Sequence, residues 1–235
     1  RLPLRGDETA IDAGCGTGRL TADLLERLPR GRVIAVDQSR NMLAEAEATL
    51  QSRFGNRVAF VHADLLELRL PEPVDAIFST ATFHWIGDHL ALFARLFGLL
   101  RPGGQLVAQC GGGPNLDILM ARFAALTATP PYRDVFAGWG GPWHFANDAE
   151  TADRLARVGF VDVLTDLEEA PTTMPDAATY RDFLETVILR SHLERIPSAA
   201  DRGALLDRLT EQAATDPVPF HLDYWRLNLA ARRPD

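Results

Sequence analysis

Short apolar runs alternate with helix-like spacings through the first 111 residues of the chain. The runs predict five strands, at residues 9–13, 33–36, 58–61, 75–78 and 106–109. Between them, apolar side chains recur every three or four residues, which indicates helices with one buried face. The helix that Asp88 opens is predicted to carry Leu100 inward, and residues 101–104 predict a turn. Apolar strands separated by amphipathic helices are typical of a parallel sheet covered on both faces.

The pattern changes after residue 111, where glycines and Pro114 interrupt it. Asn147 and Glu150 have the spacing of a capping box, and Gly159 is placed to end the helix that they open. Residues 130–145 are rich in Pro, Gly and aromatic residues and predict an ordered loop or lid. The remaining predicted elements are helices at 116–128, at 180–188 and after Ser198, and strands at 160–166 and 221–231.

Composition and charge narrow the class of protein. The 235 residues are 46% hydrophobic and 24% charged, which is enough apolar material for a full core and argues against a disordered chain. The net charge is −8, whereas proteins that live on nucleic acid usually present a basic face. We therefore expect a small-molecule partner and no nucleic acid.

Neither a membrane nor a metal is indicated. No apolar stretch is long enough to cross a bilayer, and the N-terminal residues have no apolar core of the secretory type. The two cysteines, Cys15 and Cys110, have no metal-type spacing and do not make a disulfide framework. They are interpreted as free buried thiols, so a cytoplasmic location is expected.

The segment from Ala10 to Gly18 is the most informative part of the chain. It reads as a strand that enters a glycine-rich turn and then opens a helix, and such glycines let a backbone approach a ligand. An ordinary tight turn is the alternative. Asp12, two residues before the first glycine, would repel a pyrophosphate but suits an ammonium group. The dinucleotide fingerprint fails as well, because it needs glycine where this chain has Arg19.

Two further acids follow predicted strands. Asp37 ends the second strand, about 20 residues after the glycine turn, where a carboxylate can accept both hydroxyls of a ribose. The alternative is a charge that favours the N-terminus of the helix beginning near Ser39. Asp64, in His62-Ala63-Asp64-Leu65 after the third strand, can accept the exocyclic amine of adenine while the next N–H donates to a ring nitrogen. A polar loop residue is the alternative for Asp64.

Together these segments resemble the class I S-adenosylmethionine-dependent methyltransferases. The fourth and fifth segments of that family are matched by residues 74–86 and by Leu99-Leu100-Arg101-Pro102-Gly103-Gly104, so five motifs occur in order across residues 7–111. Within the superfamily the chain looks most similar to the small-molecule group that contains the trans-aconitate and the ubiquinone/menaquinone methyltransferases. In that group, His84-Trp85 has counterparts just after the fourth strand.

The resemblance implies a single α/β domain, with a Rossmann-like, doubly wound, mostly parallel seven-stranded sheet whose last strand is antiparallel. A helical cap is expected after strands 5 and 6. The implied layout has a cofactor-binding core at residues 1–111, cap insertions at 112–147 and 172–220, and the last helix and strands of the core at 148–171 and 221–235.

The resemblance also implies the site. S-adenosylmethionine is the expected cofactor and S-adenosylhomocysteine the product. The residues expected to bind it are Asp12, Gly14, Cys15, Gly16, Asp37, Gln38, Met42, Asp64, Leu65 and Thr80. His84 is the histidine that the motif places near the reacting methyl group, either as a general base or as a residue that positions the substrate. No second group that would orient its imidazole is evident in the sequence.

The implied reaction moves a methyl group from S-adenosylmethionine to an O, N or C atom of a small molecule, carboxylates included. Two alternatives stay open at this point. One is a protein that binds the cofactor without methylating, and the other is a nucleotide-dependent oxidoreductase, against which Asp12 and Arg19 speak.

Overall fold

The computed structural model describes residues 2–235, which form two compact units. The first unit consists of residues 2–113, 144–168 and 226–235, and the second of residues 114–143 and 169–225. Within residues 2–235, no helix combines the length and the apolar character that crossing a membrane would require.

The first unit is built on a seven-stranded sheet with the order β3-β2-β1-β4-β5-β9-β6. Its strands are β1 (Thr9–Ala13), β2 (Arg32–Asp37), β3 (Val58–His62), β4 (Val74–Thr80), β5 (Leu100–Gly111), β6 (Val161–Glu169) and β9 (Trp225–Arg232). Strands β1 to β5 pair in parallel, and β9 runs antiparallel to β5. The predicted Rossmann-like α/β fold is thereby confirmed.

Helices cover both faces of this sheet, and successive side chains of β1 enter the two apolar cores that these helices close. Ala10 packs with the helices α1 (Arg19–Arg27) and α2 (Arg40–Phe54). Ile11 and Ala13 point to the opposite face, where α3 (His89–Leu99) and α6 (Asp148–Val158) contribute Phe93 and Leu155. Since neighbouring side chains of a strand project to opposite faces, each core is filled by every second residue.

The strand order reverses at β1, which pairs with β2 on one side and β4 on the other. Ligands of doubly wound sheets bind beyond the carboxyl ends of the strands at such a reversal. The chain holds this point together with two contacts. The buried Ser79 hydroxyl donates to the Ala13 carbonyl at 2.6 Å, and the Gly14 N–H donates to the Val36 carbonyl at 2.8 Å.

Two predicted boundaries that involve strands are wrong. Leu100 belongs to β5 rather than α3, and the predicted turn at residues 101–104 lies inside β5 as an irregularity in its pairing with β4. The predicted last strand at 221–231 is broken after Leu222 into a two-residue strand and β9. Pairing with different partners separates the two pieces, since the first pairs with residues 172–173 and the second with β5.

The second unit is mainly helical. Its helices are α4 (Asp117–Thr127), α5 (Arg133–Phe136), α7 (Ala177–Phe183), α8 (Arg190–Leu193) and α9 (Ala199–Ala214), with β7 (Thr172–Thr173) and β8 (His221–Leu222) as a small antiparallel pair. The helix predicted at 180–188 is α-helical only as far as Phe183, and residues Leu184–Ile188 form a π-helical turn. The predicted loop at 130–145 contains the short helix α5. Apolar side chains of α4, α7 and α9, including Phe123, Tyr180 and Leu206, form one core.

Candidate functional site

A cavity of about 640 Å³ lies where β1, β2 and β4 end. The ten residues predicted to bind the cofactor all line it: Asp12, Gly14, Cys15, Gly16, Asp37, Gln38, Met42, Asp64, Leu65 and Thr80. Lining residues that the sequence analysis did not single out for this role include Thr17, Arg19, Leu20, Ser39, Ala63, Leu66, Thr82, Ile86 and Gly87. The structure thus gathers residues that are far apart in the chain, and their role in binding remains a prediction.

The glycines of the first turn serve different purposes. Gly14 has φ +79°, and a β-carbon there would lie 2.0 Å from the Thr82 Oγ1, so this glycine makes room for a neighbouring loop of the protein. A β-carbon on Gly16, with φ +55°, would meet no protein atom within 4 Å. Because Gly16 lines the cavity, the space beside it is open to a ligand. The contact between Gly14 and Thr82 joins residues far apart in the chain and could not be found from the sequence.

Asp37 connects the glycine turn to the start of α2. One carboxylate oxygen accepts a hydrogen bond from the Gly16 N–H at 2.9 Å, and the other accepts one from the Ser39 N–H at 2.8 Å. A carboxylate has about four acceptor sites, so these two bonds leave capacity for hydroxyl groups in the cavity. Both readings of Asp37 from the sequence therefore have support in its geometry, as it orders the helix start and also lines the cavity.

Asp12 is a buried acid at the floor of the cavity, with 2% of its surface exposed. Burial raises the pKa of its carboxyl to about 6, a nearby Asp37 acts in the same direction, and a 2.6 Å hydrogen bond from the Thr21 hydroxyl opposes the rise. No arginine or histidine within residues 2–235 forms an ion pair with it. A carboxylate in this setting is stabilised by a cationic group of a ligand.

Arg19 supplies the opposite charge. It is exposed, opens α1 and lines the same cavity. Its guanidinium makes no ion pair or hydrogen bond with another side chain in the described part of the chain. The cavity consequently holds one buried acid and one available cation, a pair that complements the ammonium and the carboxylate of an amino acid. From the sequence, Arg19 served only to exclude the dinucleotide motif, and its place in the cavity was not predicted.

Part of the cavity lining is apolar. Met42 keeps 42% of its surface exposed although it lines the cavity, and Leu65, which also lines it, is buried. Asp64 is exposed, and one of its carboxylate oxygens accepts from the Leu66 N–H at 2.9 Å. Flexible apolar side chains next to one acceptor suit a flat heterocycle that carries an amine.

The comparisons with known proteins agree with this geometry. A model of the methyltransferase domain matches residues 10–104. The trans-aconitate 2-methyltransferase of Azoarcus sp. (strain BH72) is 42% identical over 83% of this chain and 74% of its own length. That of Deinococcus radiodurans is 31% identical over 100% of this chain and 90% of its own. The chain belongs to the class I S-adenosylmethionine-dependent methyltransferases.

The fold of this methyltransferase is also shared by the phosphoethanolamine N-methyltransferase 2 of Haemonchus contortus, solved with phosphomonomethylethanolamine and S-adenosylhomocysteine. The TM-score is 0.61 at 20% identity, over 99% of this chain and 50% of that one.

The residues of the cavity fit S-adenosylmethionine, the cofactor of this methyltransferase. The open space beside Gly16 leaves room for the ligand, and the buried Asp12 lacks a protein cation and suits the ammonium of the methionine part. A dinucleotide would place a pyrophosphate near the same carboxylate, which like charges disfavour. Family membership and this charge arrangement together decide against the nucleotide-dependent oxidoreductase.

His84 is held by the backbone and lies outside the lining of this cavity, which its neighbours Trp85 and Ile86 enter instead. Its Nδ1 accepts a hydrogen bond from the Gly111 N–H at 3.2 Å, which places any proton of the neutral ring on Nε2. Burial lowers the pKa of His84 to about 4, with nearby His89 acting in the same direction. The imidazole therefore has an orienting group, contrary to the sequence analysis, and is neutral at pH 7.

Proposed function

We propose that this methyltransferase methylates a carboxylate oxygen of a small organic acid, with trans-aconitate as the first acceptor to test. The observation that carries the proposal is the state of His84, whose Nδ1 is occupied by the Gly111 N–H. The neutral ring carries its proton on Nε2 and its other lone pair is taken, and a pKa of about 4 makes it a weak base, so His84 is poorly placed to take a proton. A carboxylate acceptor needs no such step, because it is ionised at neutral pH. The curated relatives, named trans-aconitate 2-methyltransferases, support the same acceptor class.

We further propose how the cavity holds the cofactor. Asp12 would pair with the ammonium and Arg19 with the carboxylate of the methionine part, while Asp37 would accept the ribose hydroxyls. Asp64 would accept the adenine amine, and Met42 would contact the adenine ring. Gly14, Cys15, Gly16, Gln38, Leu65 and Thr80 complete the predicted binding set. When bound, the cofactor supplies an electrophilic methyl group on a sulfonium.

The chain's own part in the reaction is then one of alignment. In-line displacement at a methyl group needs the nucleophile, carbon and sulfur held on one line with water kept away. Trp85 and Ile86 line the cavity immediately after His84 and are the side chains that we infer to exclude water. His84, through its Nε2–H, would donate a hydrogen bond that positions the acceptor.

Turnover with a panel of acceptors tests the proposal. We expect S-adenosylhomocysteine and a methyl ester to form with trans-aconitate, and a rate that stays level from pH 6.5 to 8.5 because the acceptor is ionised throughout. A phenol and a primary amine of similar size serve as controls and should give no product. Methylation of the phenol or amine, at a rate that climbs with pH, would overturn the carboxylate assignment.

Three other inferences stay proposals. We infer that the protein does not bind nucleic acid, given its net charge of −8. Cys15 and Cys110 are both free and buried, which fits a reducing compartment such as the cytoplasm. The second unit, residues 114–143 and 169–225, is proposed to supply the substrate cap.

A further inference from the structure

The second unit contains a cavity of its own, of about 370 Å³. One wall is the face of α4 that presents Phe123 and Thr127, and the other carries Phe136 and Trp139. None of the residues that line it also lines the cavity at the glycine turn. Its volume is within the range of small-molecule sites, and its walls have the aromatic character that such sites favour.

His192 lines this cavity, and its burial removes water as a hydrogen-bond partner for the polar ring. Its ring is 1% exposed and has ring centroids of Phe123 at 4.8 Å, Trp139 at 4.9 Å and Trp143 at 4.9 Å. Neither ring nitrogen has a hydrogen-bond partner within residues 2–235. Burial lowers the pKa of His192 to about 4, so the ring is neutral and keeps one N–H donor and one acceptor.

An unpaired buried donor and acceptor are rare in folded proteins, because each gives up water without a replacement. His192 lines the cavity although both its nitrogens are buried, so a small rotation of the ring is enough to bring a nitrogen to a ligand that supplies the missing hydrogen bond. A hydroxyl or carboxyl group can both donate and accept, which matches what the neutral ring of His192 offers. Plain packing accounts for the aromatic walls but leaves both nitrogens of His192 unexplained.

The charges at the rim favour an anion. Arg133 lines the cavity and is mostly exposed, and its one ion pair within residues 2–235 is with Asp134, at 3.8 Å and itself almost fully exposed. The Arg195 guanidinium lies over the Trp139 ring at 4.8 Å from its centroid. A quaternary ammonium, which aromatic cages otherwise attract, would be repelled by these two cations.

We propose that this cavity binds a small aromatic carboxylic acid, with its ring between Phe123 and Trp139, a polar group on His192 and its carboxylate towards Arg133. All residues that line this cavity belong to the second unit, and the proposal does not depend on methyl transfer. The ligand we propose has one or two fused aromatic rings that carry an acid group. It is either part of the methyl acceptor or a separate regulator, and competition with the methyl acceptor would distinguish these two cases.

Calorimetry with 6-hydroxy-2-naphthoate tests the proposal, because its hydroxyl can bond to His192 while its carboxylate lies towards Arg133, and 2-naphthol, which lacks the carboxylate, tests the part played by that group. We expect saturable binding of 6-hydroxy-2-naphthoate with a Kd below about 1 mM and weaker binding of the uncharged analogue. Ala124→Leu narrows the cavity and should weaken binding at least tenfold. Ala125→Leu makes the same change on a neighbouring exposed residue of α4 outside the lining and is the matched control. His192→Phe keeps an aromatic ring without nitrogens and should also weaken binding at least tenfold.

Binding to this cavity can be measured separately from binding to the cofactor site. S-adenosylhomocysteine affinity should be the same in all three variants, since the residues changed lie outside that cavity. Absence of saturable binding to the unaltered protein would overturn the proposal, as would equal losses in the Ala124→Leu and Ala125→Leu variants. If His192→Phe does not fold, the alanine pair still decides.

Discussion

Replacing Asp37 is the most direct test of the cofactor site, because this carboxylate joins the fold to the cavity. Its two oxygens accept hydrogen bonds from the N–H groups of Gly16 and Ser39. Asp37→Ala removes both acceptors and, under our proposal, the partner of the ribose hydroxyls. Asp37→Asn keeps the shape and one acceptor oxygen, so it separates the loss of charge from the loss of the whole side chain.

The expected magnitudes follow from these bonds. A hydrogen bond to a charged group contributes about 1.5–3 kcal/mol, and Asp37 is half-buried, so the lower end applies. We expect Asp37→Ala to lower the free energy of unfolding by about 3 kcal/mol and Asp37→Asn by about half as much. Loss of one or two ribose bonds corresponds to a drop in cofactor affinity of roughly tenfold to 200-fold.

The assay is calorimetry with two ligands at a temperature well below the melting point of each variant. S-adenosylhomocysteine contains the amino acid and the ribose, whereas 5′-methylthioadenosine keeps the ribose and lacks the amino acid. Asp37→Ala should weaken both ligands by a similar factor. Asp12→Asn should weaken only S-adenosylhomocysteine, since Asp12 is proposed to meet the ammonium. A folded Asp37→Ala variant that binds both ligands as tightly as the unaltered protein would refute the assignment.

Five further predictions can be checked with the same protein. Because the folded pKa of Asp12 is raised to about 6, the free energy of unfolding should fall as pH rises from about 4 to 6, and urea unfolding should show a smaller fall for Asp12→Asn. S-adenosylhomocysteine affinity should weaken below pH 6 as Asp12 is protonated, and unchanged affinity at pH 5 would contradict the ammonium contact. Gly16→Val should abolish binding with a modest loss of stability, whereas Gly14→Val should chiefly lower the melting temperature through its clash with Thr82. Gel-shift titrations with duplex DNA and transfer RNA should show no salt-dependent complex. His84→Asn should keep much of the turnover, and a limb near pH 4 in the wild-type rate profile that disappears in the variant, together with a large loss of turnover, would show that His84 acts as a base.

Local patterns in the chain were sufficient for many of the elements. Ser39, Asp88 and Asn147 cap their helices as predicted, each accepting from a backbone N–H three residues on. Such caps depend on neighbouring residues only, which is why they can be recognised without a structure. Boundaries failed where distant pairing decided them. The extent of β5 follows from its pairing with β4, and the break after Leu222 follows from the change of partner strand.

The sequence by itself determined the parallel sheet, the positions of Asp12, Asp37 and Asp64 at strand ends, and hence the family and its cofactor. These features depend on periodicity and on short motifs that recur at fixed places in the fold. Only the tertiary structure placed Thr82 against Gly14 and the Gly111 N–H on His84, contacts between residues far apart in the chain. It also left His192 in an aromatic cavity without a hydrogen-bond partner in residues 2–235. The reason is that burial and hydrogen-bond geometry arise from packing between segments, and no local pattern encodes which segments meet.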